Sequence, residues 1–283
     1  MAAEHLGLGS RMLLAKPDLT LNVLRRAHNL IVEKPSQEIL GSVRTILKDD
    51  PRLALLLAFN HVSYPDPWFI YRVYEKYLDP ERARAIYALG TEWNMNPANN
   101  PQFAQAAEIG AQLLHCEIVP AIQTYMFETP VAMKEWGYTQ EKVRKNRRFV
   151  LGKLGEMRND NHPHGITLVV APEGTRSKDG TLEYGDRSVR GVVRRLSPVV
   201  LLPMGIVYGN NKFNRGLNLG RSVNIAVGEP MEVLQQGPVP SHEEIMISIA
   251  RLLPPELQGL WPAVVVYNYP MRKVKAPSSK DKG

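Results

Sequence analysis

Two short stretches of the chain carry side chains able to do chemistry. The first, Asn60-His61-Val62-Ser63-Tyr64-Pro65-Asp66-Pro67, separates an imidazole from a carboxylate by four residues. Pro65 and Pro67 forbid a continuous helix between them, so a tight turn can fold Asp66 back onto His61. A carboxylate that holds one ring N–H leaves the other imidazole nitrogen unprotonated and facing outward, where it can take a proton from an attacking hydroxyl. A helix-capping Asp66 beside an idle loop histidine gives the same letters, so the pair alone does not decide.

The second stretch, Pro172-Glu173-Gly174-Thr175-Arg176-Ser177-Lys178-Asp179-Gly180, combines a carboxylate, a flexible glycine, hydroxyls and a guanidinium. Arg176 presents a planar fork of donors suited to phosphate. Gly174 permits close backbone approach. A solvated charged turn closed by Asp179-Gly180 is the plain alternative.

Both stretches follow apolar runs that read as strands buried on both faces, Leu53 to Phe59 and Ile166 to Ala171. After the first, Asp66 as cap and Pro67 as first helical residue open a helix to Tyr77. Helices are predicted over 103–115, 139–158 and 187–196, with strands over 117–122, 199–208 and 223–227. Ser241 and Glu244 form a capping box for a helix ending near Leu253. Alternating strands and helices predict an α/β fold with a mostly parallel sheet flanked by helices. In such sheets, sites gather beyond the carboxyl ends of the strands, where both stretches fall.

Ahead of this core, Val23, Leu24, Ala27, Leu30 and Ile31 repeat at helical spacing, then Pro35 breaks the chain. Ile39, Leu40, Val43, Ile46 and Leu47 repeat the pattern. The expected organisation is an N-terminal amphipathic helical hairpin over 1–50, packed on or beside the core. A catalytic domain over 51–262 and a basic tail over 263–283 follow. The apolar stripe of the hairpin has two possible partners, the core and a bilayer surface.

His61-x4-Asp66 and Glu173-Gly174-Thr175-Arg176, in that order and each after a buried strand, resemble the two signature blocks of the glycerophospholipid acyltransferase family, which includes the lysophosphatidate acyltransferases. The resemblance runs from about Leu53 to Val227, and the second block is the more specific. It implies transfer of a fatty acyl group from acyl-CoA or acyl carrier protein to a glycerol-phosphate or lysophospholipid hydroxyl. His61 would be the general base and Asp66 its orienting partner. Glu173, Gly174, Thr175 and Arg176 would bind the acceptor, with Arg176 on its phosphate. No metal or cofactor is implied. The chain departs from the family pattern between the blocks, where Gly110 to Val119 lacks the usual closing arginine. It departs again at 185–191, and the gap between the blocks is long, consistent with an insertion near 90–150.

The rest of the inventory narrows the chemistry. There is no G-x-S-x-G nucleophile elbow, no phosphate-cradling P-loop, no G-x-G-x-x-G and no zinc-type Cys/His spacing. His162 and His164 read as a surface loop. The single cysteine, Cys116, lies in an apolar stretch and reads as a buried, inert thiol suited to a reducing compartment. No apolar run reaches the roughly 18 residues of a spanning helix, and no signal-peptide pattern opens the chain. A cytoplasmic protein held peripherally on a membrane is expected.

A net charge of +7 favours anionic partners. An anionic membrane surface and an acidic carrier protein both fit. A basic nucleic-acid-binding protein is the rival reading, supported by Arg187, Arg190 and Arg194, but no nucleic-acid motif accompanies them and no nucleic acid is expected. A non-catalytic membrane-surface protein is the other rival, and the intact His61/Asp66 pair speaks against it.

Overall fold

The computed structural model describes residues 29–63, 65–159, 162–177, 179–209 and 222–261. The strands are β1 Asn29–Val32, β2 Ala54–Phe59, β3 Ala85–Thr91, β4 Cys116–Ala121, β5 Ile166–Val170, β6 Val199–Tyr208, β7 Ser222–Val227 and β8 Met231–Val233. They form one sheet in the order β1-β7-β6-β2-β5-β3-β4, with β8 also on β6. The run β6-β2-β5-β3-β4 is parallel. β7 and β8 join β6 antiparallel, and β1 lies parallel to β7. The fold is therefore α/β with a mostly parallel mixed sheet, as the alternating pattern predicts.

The helices are α1 Lys34–Asp49, α2 Asp66–Val73 (continuing as a wider π turn over Tyr74–Leu78), α3 Glu92–Met95 and α4 Pro101–Leu113. Later come α5 Pro130–Glu135, α6 Gln140–Asn159, α7 Val189–Leu196 and α8 His242–Ala250. Strand β2 is buried at every residue because both of its faces are covered. Leu55, Leu57 and Phe59 pack with α1 and α2 through Leu40, Val43, Phe69 and Ile70. Leu56 and the two alanines pack with α6, α7 and α8 through Leu154, Val193 and Ile245. The continuous apolar run is the signature of this two-sided burial. The capping box of α8 forms as expected, with Ser241 Oγ accepting from Glu244 N and Glu244 Oε2 accepting from Ser241 N.

The N-terminal reading needs one correction. Leu30 and Ile31 do not extend a helix; they lie in β1, opposite Val223 and Asn224 of β7. The outer edge of β7 offers unpaired backbone groups, and satisfying them outweighs a helical period in a Leu-Ile-Val run. The residues assigned to the first hairpin helix before Asn29, and the basic tail over 263–283, lie outside the described residues. The second helix exists as α1. Its Leu40 and Val43 are fully buried against the sheet, so its apolar stripe faces the core.

The amino ends of the strands are closed by a polar cluster. Arg84 donates to the carbonyls of Pro51, Leu53 and Ile166 and to Thr167 Oγ1. Asp79 accepts the Tyr74 hydroxyl at 2.6 Å and the Arg84 amide at 3.0 Å. Gly165, at φ +72°, lets Pro51 and Arg84 approach where any Cβ would collide with the Pro51 carbonyl. Among the described residues no helix is long and apolar enough to cross a membrane.

Candidate active site

The carboxyl ends of β2 and β5 lie side by side, since the two strands pair directly. The loops leaving them therefore meet. The chain from Asn60 turns back at Ser63, whose carbonyl accepts the Asp66 amide at 3.3 Å. This turn brings Asp66, the first residue of α2, under the His61 ring. His61 Nδ1 lies 3.1 Å from Asp66 Oδ2. The same oxygen accepts the backbone amides of Val62 and Ser63, each at 2.6 Å. Oδ1 accepts the hydroxyl of Tyr208, the last residue of β6.

Asp66 is fully buried while the His61 side chain is 21% exposed, so the carboxylate is hidden and the ring is reachable. Four donors therefore converge on this buried carboxylate. Burial, reinforced by the Asp66 charge, pushes the Tyr208 phenol far above its ordinary pKa, so Tyr208 acts as a protonated donor. Among the described residues none bonds His61 Nε2. With Nδ1–H donated to Asp66, Nε2 is left as an acceptor lone pair toward solvent. Phe59 meets the ring edge-on, with centroids 6.0 Å apart.

The second loop holds the first by its backbone. Glu173 Oε1 accepts the His61 amide at 2.5 Å, and Oε2 accepts the Glu183 amide at 2.8 Å. The Ser177 amide donates to the His61 carbonyl at 2.8 Å. His61 is thus gripped on both sides of its Cα. Glu173 is only 4% exposed, and its carboxylate points inward to these amides rather than outward. Burial pushes its pKa up to about 8, against the opposing pull of the two amides.

Gly174 sits at φ +69°, a left-handed conformation that favours glycine, and a Cβ there would meet Gln123 Cγ at 2.7 Å. Thr175 is exposed and hydrogen-bonded with Tyr125. Arg176 is half-buried, immediately before the Ser177 amide that binds His61. The two sequence motifs therefore form one site.

Several residues of this site carry no motif. Tyr208 is one, although a lone polar residue ending an apolar strand beside β2 is a legible signal. Asn60 is another: its side chain donates to the Ile206 carbonyl at 3.0 Å and accepts the Ile206 amide at 2.6 Å. Asp186 ties the loop after β5 to the loop after β4 by accepting both the amide and the hydroxyl of Thr124, at 2.7 and 2.8 Å. Thr91, at the end of β3, receives the Gln123 amide at 2.8 Å, and the Gln123 Oε1 is buried without a partner among the described residues.

Cys116 is half-buried at the start of β4, and burial pushes its thiol up to about 12. His162 packs edge-on against Tyr87, its Nε2 3.3 Å from the phenol. Among the described residues no group of three or more His, Cys, Asp or Glu could hold a metal ion.

No protein-family model matches this chain, and no curated protein matches it.

Proposed function

We propose that the protein is an acyltransferase, moving a fatty acyl group from an acyl thioester to the hydroxyl of a glycerol-phosphate or lysophospholipid. The observation that carries this reading is the His61/Asp66 pair at the carboxyl end of the sheet, with a hidden carboxylate on Nδ1 and an open Nε2. The likeness of its two loops to the acyltransferase signatures supplies the reaction class.

In the proposed step, Nε2 of His61 takes the proton of the acceptor hydroxyl as its oxygen bonds to the thioester carbonyl carbon. The C–S bond then breaks, the ester is released, and the departing thiolate recovers the proton from His61. Asp66 stabilises the imidazolium formed between these events. The thiol leaves directly, so no acyl-enzyme forms. Arg176 binds the acceptor phosphate, and Glu173 acts by fixing the His61 backbone. Attachment to an anionic membrane is peripheral and falls to segments beyond α1, because the α1 stripe is buried in the core.

The test is direct. The full chain is incubated with long-chain acyl-CoA and lysophosphatidate, and the lipids are analysed by mass spectrometry. A new diacyl product that disappears in His61→Ala supports the reading. No product from lysophosphatidate, lysophospholipid or glycerol phosphate, with either thioester donor, overturns it.

A further inference from the structure

The flank of the molecule formed by α6 and α7 carries an unbalanced set of arginines. On α6, Arg144, Arg147, Arg148 and Arg158 are exposed, and on α7 so are Arg190, Arg194 and Arg195. Among the described residues none of these has a carboxylate partner. The lysines of α6 differ: Lys142, Lys145 and Lys153 are paired with Glu92, Glu141 and Glu117. The unsatisfied charge is therefore all guanidinium, the group suited to forked recognition of carboxylates.

These arginines share one surface. At 3.6 residues per turn, Arg144, Arg147, Arg148 and Arg158 fall within an arc of about 100° on α6. Gly155 lies in the same arc, and a Cβ there would meet the Arg195 guanidinium at 2.7 Å, so the arc borders α7 at Gly155 while its arginines stay exposed. Both helices precede parallel strands and run from the carboxyl end of the sheet toward its amino end. Hence Arg144, Arg147, Arg148 and Arg190 lie toward the end bearing His61. The α7 start is tied to the site through Asp186, which caps Ser188 and binds Thr124.

We propose that this flank docks a small acidic carrier protein that bears the acyl group as a thioester, making carrier-borne acyl chains the preferred donor. The inference rests on the acyl-transfer reading of the site. Other occupants fit less well. The three long chain segments outside the described residues, 1–28, 210–221 and 262–283, each hold more Lys and Arg than Asp and Glu, so none of them complements the flank, and a second copy of this basic chain is repelled. A bilayer-binding helix presents a broad apolar stripe. Here the α6 stripe of Val143, Leu154 and Met157 is buried, and only Phe149 and Leu151 show, at 45% and 40% exposure. Arginines around one or two apolar side chains match the anchors of protein interfaces.

The experiment compares the full chain with the combined Arg144→Glu, Arg147→Glu and Arg148→Glu variant, and with the corresponding lysine variant. Donors are palmitoyl acyl carrier protein and palmitoyl-CoA. The glutamate variant is expected to raise the KM for the carrier-borne donor about tenfold or more at low salt, with kcat and the acyl-CoA KM unchanged. The lysine variant keeps most of the affinity. In parallel, calorimetric titration with the carrier alone reads docking without chemistry, and Kd should weaken by the same factor. An unchanged Kd and carrier KM, or equal rises for both donors, overturns the proposal. So does loss of anionic-vesicle binding with carrier KM intact, which makes a lipid surface the occupant. Absence of transfer from either donor with an arginine-dependent carrier Kd overturns the acyl-transfer reading and leaves the docking surface standing.

Discussion

Tyr208 directs its phenolic hydrogen to Oδ1 of Asp66, the one carboxylate oxygen that neither His61 nor the turn amides use. A residue 142 positions away in the sequence thereby completes the donor set of the carboxylate that holds the His61 ring. Tyr208→Phe keeps the ring packing against Phe69 and removes the hydroxyl that serves Asp66 and Ser63. The expected result is a loss of about 1–2 kcal/mol of stability and about a tenfold fall in kcat. Thermal unfolding and steady-state kinetics check it; unchanged values in both would remove Tyr208 from the site.

His61 and Asp66 should respond differently. His61→Ala is expected to lower transfer by about 10²–10⁴ with little change in Tm, because the partly exposed ring is not part of the buried core. Asp66→Asn should cost activity on the order of 10³–10⁴ and also about 1–3 kcal/mol of stability. An amide cannot accept from two backbone N–H groups, a phenol and an imidazole at once. Denaturation of both variants, run beside activity, separates the two roles. An Asp66→Asn protein as stable as the parent would show that the turn does not depend on the charge.

Glu173 gives a pH signature. Its folded pKa is raised to about 8, above the ordinary carboxyl value, so the folded state holds a proton that the unfolded chain releases. Its contribution to stability is therefore fully present below the unfolded pKa and is lost as pH rises toward and through about 8. Urea midpoints measured between pH 5 and 9 should fall with pH in the parent and fall less steeply in Glu173→Gln. Equal slopes would contradict this account.

Arg176→Ala is expected to raise the acceptor KM by about one to two orders of magnitude while leaving the donor KM near its parental value. A charge-assisted contact to phosphate is worth about 1.5–3 kcal/mol. The measurement is a KM for each substrate with the other saturating. Parallel weakening of both would mean that Arg176 holds the loop rather than the acceptor.

The sequence makes the strands of the central sheet legible because burial on both faces leaves unbroken apolar runs such as Leu53 to Phe59. It makes the His61/Asp66 pair legible because two prolines force the turn that joins them. It misreads Leu30 and Ile31, since the β7 edge that captures them comes from residues nearly two hundred positions later. Strand β3 also escapes notice: Ala85–Thr91 is only partly buried, and its mixed letters carry neither a clean alternation nor a continuous apolar run. Within the site, the motif locates Glu173 but not its direction. Whether a loop carboxylate faces a ligand or a neighbouring backbone depends on how β2 and β5 abut, and no local pattern encodes that contact.

The Asn60 side chain, bonded at both ends of its amide to the backbone of Ile206, has a consequence for how the chain finds its alignment. In strands with one wet face, sliding by a residue turns apolar side chains outward, and water itself enforces the correct match. β2 has no wet face, so sliding Ala-Leu-Leu-Leu-Ala-Phe along β6 would leave apolar groups in apolar surroundings. Asn60 is the first residue in that run able to tell one alignment from another: only when it meets Ile206 are its donor and its acceptor both answered. Because His61 comes next, the same two bonds act as a ruler that sets the distance from the sheet at which its imidazole stands.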